Sequence, residues 1–436
     1  MNLKPDNNDP IYVKTWYDDN KIESVPSTSV LKSQSCEVLI VGGGLAGLCL
    51  LQNLLEKGID ALLVEANEIG QSASGRNGGF CTPGWALSDQ KISDLVGTDA
   101  AEKLNQFSIE GYQWMERRFV SEDYESVGAK KGVLSVSLSG NPTNMEQEDS
   151  RLLLKDELQK HLKTEKYKYG YLNNEGYQFN PLNFLECLNS EILKTNKRIF
   201  TRSKVLSVET LKDYSIIKVN NNSISIKAKK LVFATGGYGG HETGKISKTI
   251  LPIQTYIAVT SPLASCQREI INCDWAIYDT RRAGNYYRIL SDNRLLWGHS
   301  ITAIGTRSIN KIKQNALKDI VSVFPSLLWN ASKDVELKID YAWSGSMAYT
   351  SHMMPYIGQI KPNVYSLVGF GGHGMNTAPI AANILSDWLT GSSEKLKVFE
   401  RIPFAWNGGV FGPIAAELKY LYLKLIDKIS CVQRRI

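Results

Sequence analysis

Cys36-Glu-Val-Leu-Ile-Val-Gly-Gly-Gly-Leu-Ala-Gly47 is the stretch that decides the fold. Residues 38–41 form a short apolar run rich in β-branched side chains, the pattern of a parallel strand buried on both faces. The run enters Gly42-x-Gly44-x-x-Gly47, after which Leu48, Leu51 and Leu55 share one face of a helix that Gly58 should stop. A second apolar run, 61–64, ends in Glu65, 23 residues beyond the first glycine. The spacing predicts a strand–turn–helix–strand unit.

Each part has a task in binding a dinucleotide. Gly42 permits the tight turn, Gly44 lets a pyrophosphate approach the main chain, and Gly47 lets helix and strand pack closely. Leu45 and Ala46 open the helix, whose N–H groups and positive dipole end face the phosphates. Glu65 is placed to accept hydrogen bonds from ribose hydroxyls. A plain strand–helix–strand unit would not need three glycines at this spacing.

With 436 residues, the chain has room for two or more domains. Its composition is globular, 43% hydrophobic and 22% charged. The formal charge of +6 comes without a Lys/Arg block of the kind that binds nucleic acid. Seven scattered cysteines (36, 49, 81, 187, 266, 273 and 431), with no C-x-x-C pair, favour free thiols in a reducing compartment. The polar 1–35 segment has no hydrophobic signal core, and the longest nearly apolar run, 38–51, is too short to span a bilayer. A soluble cytoplasmic protein is expected, with its oligomeric state left open.

The expected class is α/β. A Rossmann-like dinucleotide-binding domain takes residues 36–90, 176–248 and 341–436; an α+β substrate domain takes 91–175 and 249–340; and 1–35 is an arm that Trp16 and Tyr17 anchor. After Glu65, Ser72-Ala-Ser-Gly-Arg-Asn-Gly-Gly-Phe80 is a small-residue loop able to lie close to a flat ligand. Helices are expected over 98–119 and 145–163 with a strand over 132–138 between them. Asn180-Pro181 caps a helix running to about 195. Strands follow near 203–209, 214–219 and 223–227. Lys230-Leu-Val-Phe-Ala-Thr-Gly-Gly237 has the pattern of a strand returning to the dinucleotide site.

Beyond a strand at 253–259, Asn285-Tyr-Tyr-Arg-Ile-Leu290 and Arg294-Leu-Leu-Trp-Gly298 predict a hairpin. Alternation puts Tyr286 and Arg288 on one face and Tyr287 on the other. A helix is expected over 309–323. A second glycine cluster, Gly369-Phe-Gly-Gly-His-Gly-Met375, opens a helix that Gly391 stops. The tail, 418–429, reads as a helix whose apolar side packs on the body, a membrane surface being the alternative.

These motifs, in this order along nearly the whole chain, resemble the flavin-dependent amine and amino-acid oxidases that include glycine oxidase, sarcosine oxidase and D-amino-acid oxidase. The Ser74-Gly-Arg-Asn-Gly-Gly79 loop and Tyr287-Arg-Ile-x-x-x-x-Arg-Leu-Leu-Trp-Gly298 are most similar to the branch containing gamma-glutamylputrescine oxidase. The resemblance implies a glutathione-reductase-like fold and FAD, with adenosine on 42–65 and the isoalloxazine beside 74–80. It adds Ser74, Gly75, Arg76, Asn77, Gly78, Val205, Thr235, Gly236, Gly371, Gly372, His373, Gly374 and Met375 to the cofactor set. The late glycines would bring N–H groups and a helix start to the negative end of the reduced ring.

Two departures from the family bear on chemistry. Relatives with covalent flavin use a cysteine before the Tyr-Ile-Gly turn; here that region is Gly345-Ser-Met-Ala-Tyr-Thr350, so non-covalent FAD is implied. Where sarcosine oxidase has a lysine that grips the substrate carboxylate, this chain has Asn376, which favours an amine or longer substrate. The implied reaction is hydride transfer from the amine-bearing carbon to flavin N5, then imine hydrolysis and reoxidation by molecular oxygen to hydrogen peroxide. A dehydrogenase passing electrons to a quinone or protein carrier is the alternative. Arg76, His373 and His299 are the catalytic candidates, Phe80, Tyr286, Arg288 and Trp343 the substrate wall. The chemistry requires no metal, and no metal-ligand spacing is found.

Overall fold

The computed structural model describes residues 13–23, 25–26, 28–140, 142, 150–195, 198–220, 223–281, 283–328, 336–392 and 394–432. Gln34–Val41 is the centre of the first sheet because its inner residues are apolar and buried on both sides. It pairs in parallel with Ala61–Val64 and with Ile224–Phe233. Ile199–Phe200 extends the sheet in parallel beyond Ala61–Val64, and Val364–Val368 does so beyond Ile224–Phe233. Tyr356–Lys361, Ser215–Val219 and Val205–Thr210 add antiparallel strands. The helix Leu45–Glu56 packs against the helix Gly374–Leu389, so the early and late glycine motifs lie at neighbouring helix starts.

A second sheet runs Ile339–Tyr349, Leu251–Pro262, Arg294–Thr302, Tyr286–Ile289, Ala276–Asp279, Lys130–Ser137, Tyr169–Gln178 and Phe80–Cys81, with Ser150–Leu154 also on Tyr169–Gln178. Tyr286–Ile289 and Arg294–Thr302 form the expected hairpin, closed by Asn293 at φ +62°. On one face of this sheet, Tyr287 stacks on Trp297 with centroids 4.6 Å apart, beneath Ile320 and Val323 of the helix Ile309–Val323. The other face carries Tyr286 and Arg288.

Several expectations need correction. Of the helix expected over 145–163, residues 145–149 lie outside the described residues, and Ser150–Leu154 is a strand followed by a helix only at Lys155–His161. A short apolar run does not reveal its period, and pairing with Tyr169–Gln178 settles it. The strands expected at 223–227 and 230–237 are one, Ile224–Phe233. Residues 341–349 pair with Leu251–Pro262 in the second sheet. The tail helix is longer than expected, Gly412–Val432, and its apolar side faces outward. The described cysteines 36, 49, 81, 187, 266 and 273 are free thiols.

Candidate active site

At the first glycine turn the main chains leave no room for side chains. Gly42 has φ +119°, and a Cβ there would lie 2.5 Å from the Ala234 carbonyl oxygen. A Cβ on Gly47 would lie 2.0 Å from the Gly42 oxygen, so helix and turn touch as the spacing requires. Gly44 has no side chain to cap the Leu45–Glu56 helix, and of the first-turn N–H groups that of Leu45 donates to Ser74 Oγ at 3.1 Å. Glu65 closes the unit. Its carboxylate accepts from the Gly43 N–H at 2.6 Å and the Asn67 N–H at 2.8 Å. Burial pushes its pKa up, and these N–H donors oppose the shift. An ionised carboxylate has about four acceptor sites, so capacity remains for a ribose. The Ser203 N–H donates to the Glu65 carbonyl two residues before Val205, which brings that strand start to the same edge.

The buried hydroxyls of Thr235, Ser344 and Ser346 have no partner among the described residues. A Cβ on Gly237 would meet Ser346 Oγ at 2.8 Å, which places one of these hydroxyls against the Gly236-Gly237 turn. With the glycine cradle and a helix start whose own N-cap residue, Gly44, supplies no side chain, they fit a group rich in acceptors and phosphates. FAD is such a group.

The 74–80 loop is held from three sides. Asn77 Nδ2 donates to the carbonyls of Ala73 and Ser74 and contacts Met375 Sδ at 3.4 Å, linking the loop to the start of the Gly374–Leu389 helix. The Tyr17 hydroxyl donates to the Asn77 carbonyl at 2.8 Å. Arg288, reaching across from the second sheet, donates to the Gly78 carbonyl at 2.7 Å, the Phe179 carbonyl at 2.8 Å, Gln178 Oε1 at 3.3 Å and the Tyr17 hydroxyl at 3.2 Å. A planar guanidinium with five fixed donors suits such a junction. Arg288 is thus a strut behind the loop.

Arg76 is similarly occupied: its guanidinium donates to the carbonyls of Ser344, at 3.3 Å, and Val13. The Trp343 indole N–H returns to the Arg76 carbonyl at 2.9 Å, and the ring is enclosed with Tyr17 and Leu182 in a small core. Trp343 therefore packs the site from within and presents no open wall.

Tyr286 has the position expected of a wall. Its ring meets Phe80 edge-on, centroids 5.7 Å apart, and fits against two glycines. A Cβ on Gly78 would lie 2.6 Å from the ring, and one on Gly298, its cross-strand partner, 1.9 Å away. A glycine inside a strand marks such an approach, so Gly298 was a signal the sequence reading passed over. Tyr349, another residue it missed, lies with Met347 beside Gly372.

His373 begins the Gly374–Leu389 helix without capping it through its side chain. It is open to solvent, yet surrounding protein lowers its pKa, the combination expected of a group lining a cleft. Asn376 turns its amide to the Gly84 carbonyl at 2.8 Å, tying the helix to the 80–85 segment.

His299 is not brought to this group. It lies on the far face of the second sheet with Trp297, 1% exposed, its Nδ1 3.8 Å from Asp319 Oδ2 of the covering helix. Burial, with Arg307 and Lys424 nearby, holds its pKa down at about 3. It is uncharged at neutral pH and cannot supply a cation to the cofactor cleft.

The profile of the family described as "FAD dependent oxidoreductase" (DAO) matches residues 37–388. A "probable oxidoreductase OrdL" of Haemophilus influenzae is 26% identical over 96% of this chain and 98% of its own. The "gamma-glutamylputrescine oxidoreductase" of Escherichia coli is 26% identical over 91% and 94%. Among solved structures, glycine oxidase from Geobacillus kaustophilus superposes with TM-score 0.64 at 16% identity, covering 87% of this chain and 98% of that one. L-proline dehydrogenase from P. horikoshii gives TM-score 0.65 at 17% identity, covering 86% and 98%. At these identities the structural likenesses establish the fold. The chain belongs to the DAO family of FAD-dependent oxidoreductases, and FAD is its cofactor.

Proposed function

We propose that this enzyme oxidises the C–N bond of an amine lacking a carboxylate beside the reacting carbon, a polyamine-like or N-acylated diamine, with oxygen as acceptor. The observation that carries the reading is the employment of the two arginines. Arg288 and Arg76 direct their donors to main-chain carbonyls and to neighbouring side chains, and Asn376 turns its amide to Gly84. A carboxylate grip would have to compete with those bonds, and a charged hydrogen bond forgone costs about 1.5–3 kcal/mol. An alkyl amine loses nothing by this arrangement. Tyr286 and Phe80 offer it an aromatic edge, and an aromatic face also attracts a distal ammonium. The 26% identical gamma-glutamylputrescine oxidoreductase supports the same substrate class.

In this reading the first sheet carries the cofactor and the second sheet the substrate. FAD, when bound, supplies the two-electron acceptor for the hydride leaving the amine-bearing carbon. The protein's share is placement: Arg288 and Tyr17 fix the 74–80 loop, Tyr286 limits water beside it, and the Gly374–Leu389 helix start favours negative charge. His373 stays neutral at that start. The overall reaction turns a primary amine, oxygen and water into aldehyde, ammonia and hydrogen peroxide. FAD is held without a covalent bond, so acid precipitation should leave all the flavin in the supernatant.

A second reading keeps the site and passes the electrons to a membrane quinone; the apolar outer side of the tail helix favours it. Peroxide formed per aldehyde separates the two: a ratio of one supports the oxidase, and near zero in air supports the dehydrogenase. For substrate class, the holoenzyme is mixed anaerobically with putrescine, N-acylated putrescine, glycine and sarcosine while flavin bleaching is followed. The diamines should bleach it faster at equal concentration. A preference for glycine or sarcosine refutes the proposal.

A further inference from the structure

The tail helix Gly412–Val432 leaves most of its large apolar side chains outside and meets the body largely through polar groups. Its inward side carries polar anchors: Glu417 accepts from the Ala303 N–H at 2.8 Å, the Tyr420 hydroxyl from the Ile301 N–H at 3.2 Å, and Asp427 from the Ala283 N–H at 3.1 Å, with Leu423 and Ile426 only half-buried beside them. Among its described side chains, Tyr420 is the one buried apolar group. Ile414, Leu418, Leu421, Tyr422, Leu425 and Ile429 are all exposed. At 100° per residue these six fall in one stripe about 100° wide. The stripe continues backward into Phe411 and Val410, 70% and 81% exposed, with Trp406 at 66% just before them. Scattered exposed apolar residues need no explanation, but a contiguous set marks an interaction surface.

The charges around the stripe select its occupant. Exposed Lys419 and Lys428 border its two edges, whereas Glu417 and Asp427 are turned to the body. Exposed Lys245 and Lys248 stand beside the preceding loop, where Lys245 Nζ lies 4.5 Å from the Phe404 ring and Asn407 bonds the Lys248 carbonyl. Pairing with a second copy of the helix would set lysine against lysine, where helix pairs need complementary flanks. An anionic sheet of headgroups over an apolar interior matches both features. Among the described residues no helix is long and apolar enough to cross a membrane. We infer that the outward side of Gly412–Val432, with Phe411, Val410 and Trp406, is a docking surface for an anionic lipid bilayer, on which the enzyme lies without spanning it.

The test is co-sedimentation of the full-length holoenzyme with vesicles of phosphatidylcholine alone or mixed with phosphatidylglycerol. The protein should pellet with the mixed vesicles, and at least about tenfold more weakly with the neutral ones. Leu418→Glu combined with Leu425→Glu should abolish pelleting while flavin absorbance and amine turnover persist. Lys419→Gln with Lys428→Gln, which leaves the apolar stripe intact, should weaken binding to mixed vesicles roughly 25-fold, about fivefold per lysine. Failure to pellet with either vesicle overturns the inference, as does equal binding to both that neither variant changes. A lipid-free dimer that the Leu418→Glu/Leu425→Glu pair splits, with no vesicle binding, assigns the surface to a second copy and also overturns it. Amine oxidation by a protein that ignores vesicles leaves the catalytic reading standing.

Discussion

Gly298→Ala puts the placement of Tyr286 to the test. Position 298 lies in a strand without positive φ, so the substitution adds one methyl group and no backbone strain. That Cβ would lie 1.9 Å from Tyr286 Cζ and 2.1 Å from Cε2. Carbon atoms in contact sit about 3.5–4.0 Å apart, so the ring must retreat by roughly 1.5–2 Å. Overpacking of this kind costs about 1–3 kcal/mol, to be read as a lowered Tm. A misplacement near 1 Å at a substrate-positioning group is worth about 100-fold, so kcat/KM for the best amine should fall by roughly that factor. The FAD dissociation constant should change little, because the cradle at 42–47 is untouched. Tyr286→Ala removes the obstacle at its own cost in packing, so in that background Gly298→Ala should cost little further stability, and the activity should stay low. Wild-type Tm and kcat/KM in Gly298→Ala would refute both the ring's position and its role at the substrate.

Glu65→Gln should weaken FAD binding by roughly one to two decades, since a charged hydrogen bond is worth about 1.5–3 kcal/mol. Burial raises the Glu65 pKa, so in the free protein this group favours folding below its unfolded pKa and loses that contribution as pH rises through the folded value. Ribose donors favour the carboxylate, so wild-type FAD affinity should fall on acidification through that raised pKa. Fluorescence titrations of Glu65→Gln should lack this slope; an unchanged slope would place the adenosine elsewhere. Arg288→Met should leave the Gly78 and Phe179 carbonyls unpaired and cost about 3–5 kcal/mol of stability, with faster FAD loss. Arg288→Met with wild-type Tm and flavin retention would end its role as the strut. His299→Asn should leave the oxygen reaction within about twofold of wild type, because a histidine neutral above pH 3 on the far face has no charge to remove. A tenfold slower reoxidation in stopped flow would return it to the mechanism.

The nucleotide unit was legible from sequence because its requirements are local. Three glycines, two apolar runs and an acid fall within thirty residues, and Gly47 against Gly42 and Glu65 against Gly43 make their contacts inside that span, while Gly42 also needs its φ of +119° locally. The 286–298 hairpin was legible for the same reason, its turn and alternation being short-range facts. Local pattern also gave the helices Thr98–Phe119 and Ile309–Val323 their full extents.

What only the tertiary structure decided was which partners the polar side chains find. Arg76, Arg288 and His299 are alike in sequence terms, polar residues near motifs, yet two clamp carbonyls and one faces away across a sheet. Burial assigns such partners through contacts more than two hundred residues apart, as between Arg288 and Gly78, and no spacing rule records these. The tail helix makes the same point. Its amphipathic period was plain in the sequence, but which side meets the body depended on N–H groups at 283, 301 and 303 that only the folded sheet presents. Periodicity fixes that a helix has two sides; the hydrogen-bonding surface it lands on fixes which one is left outside.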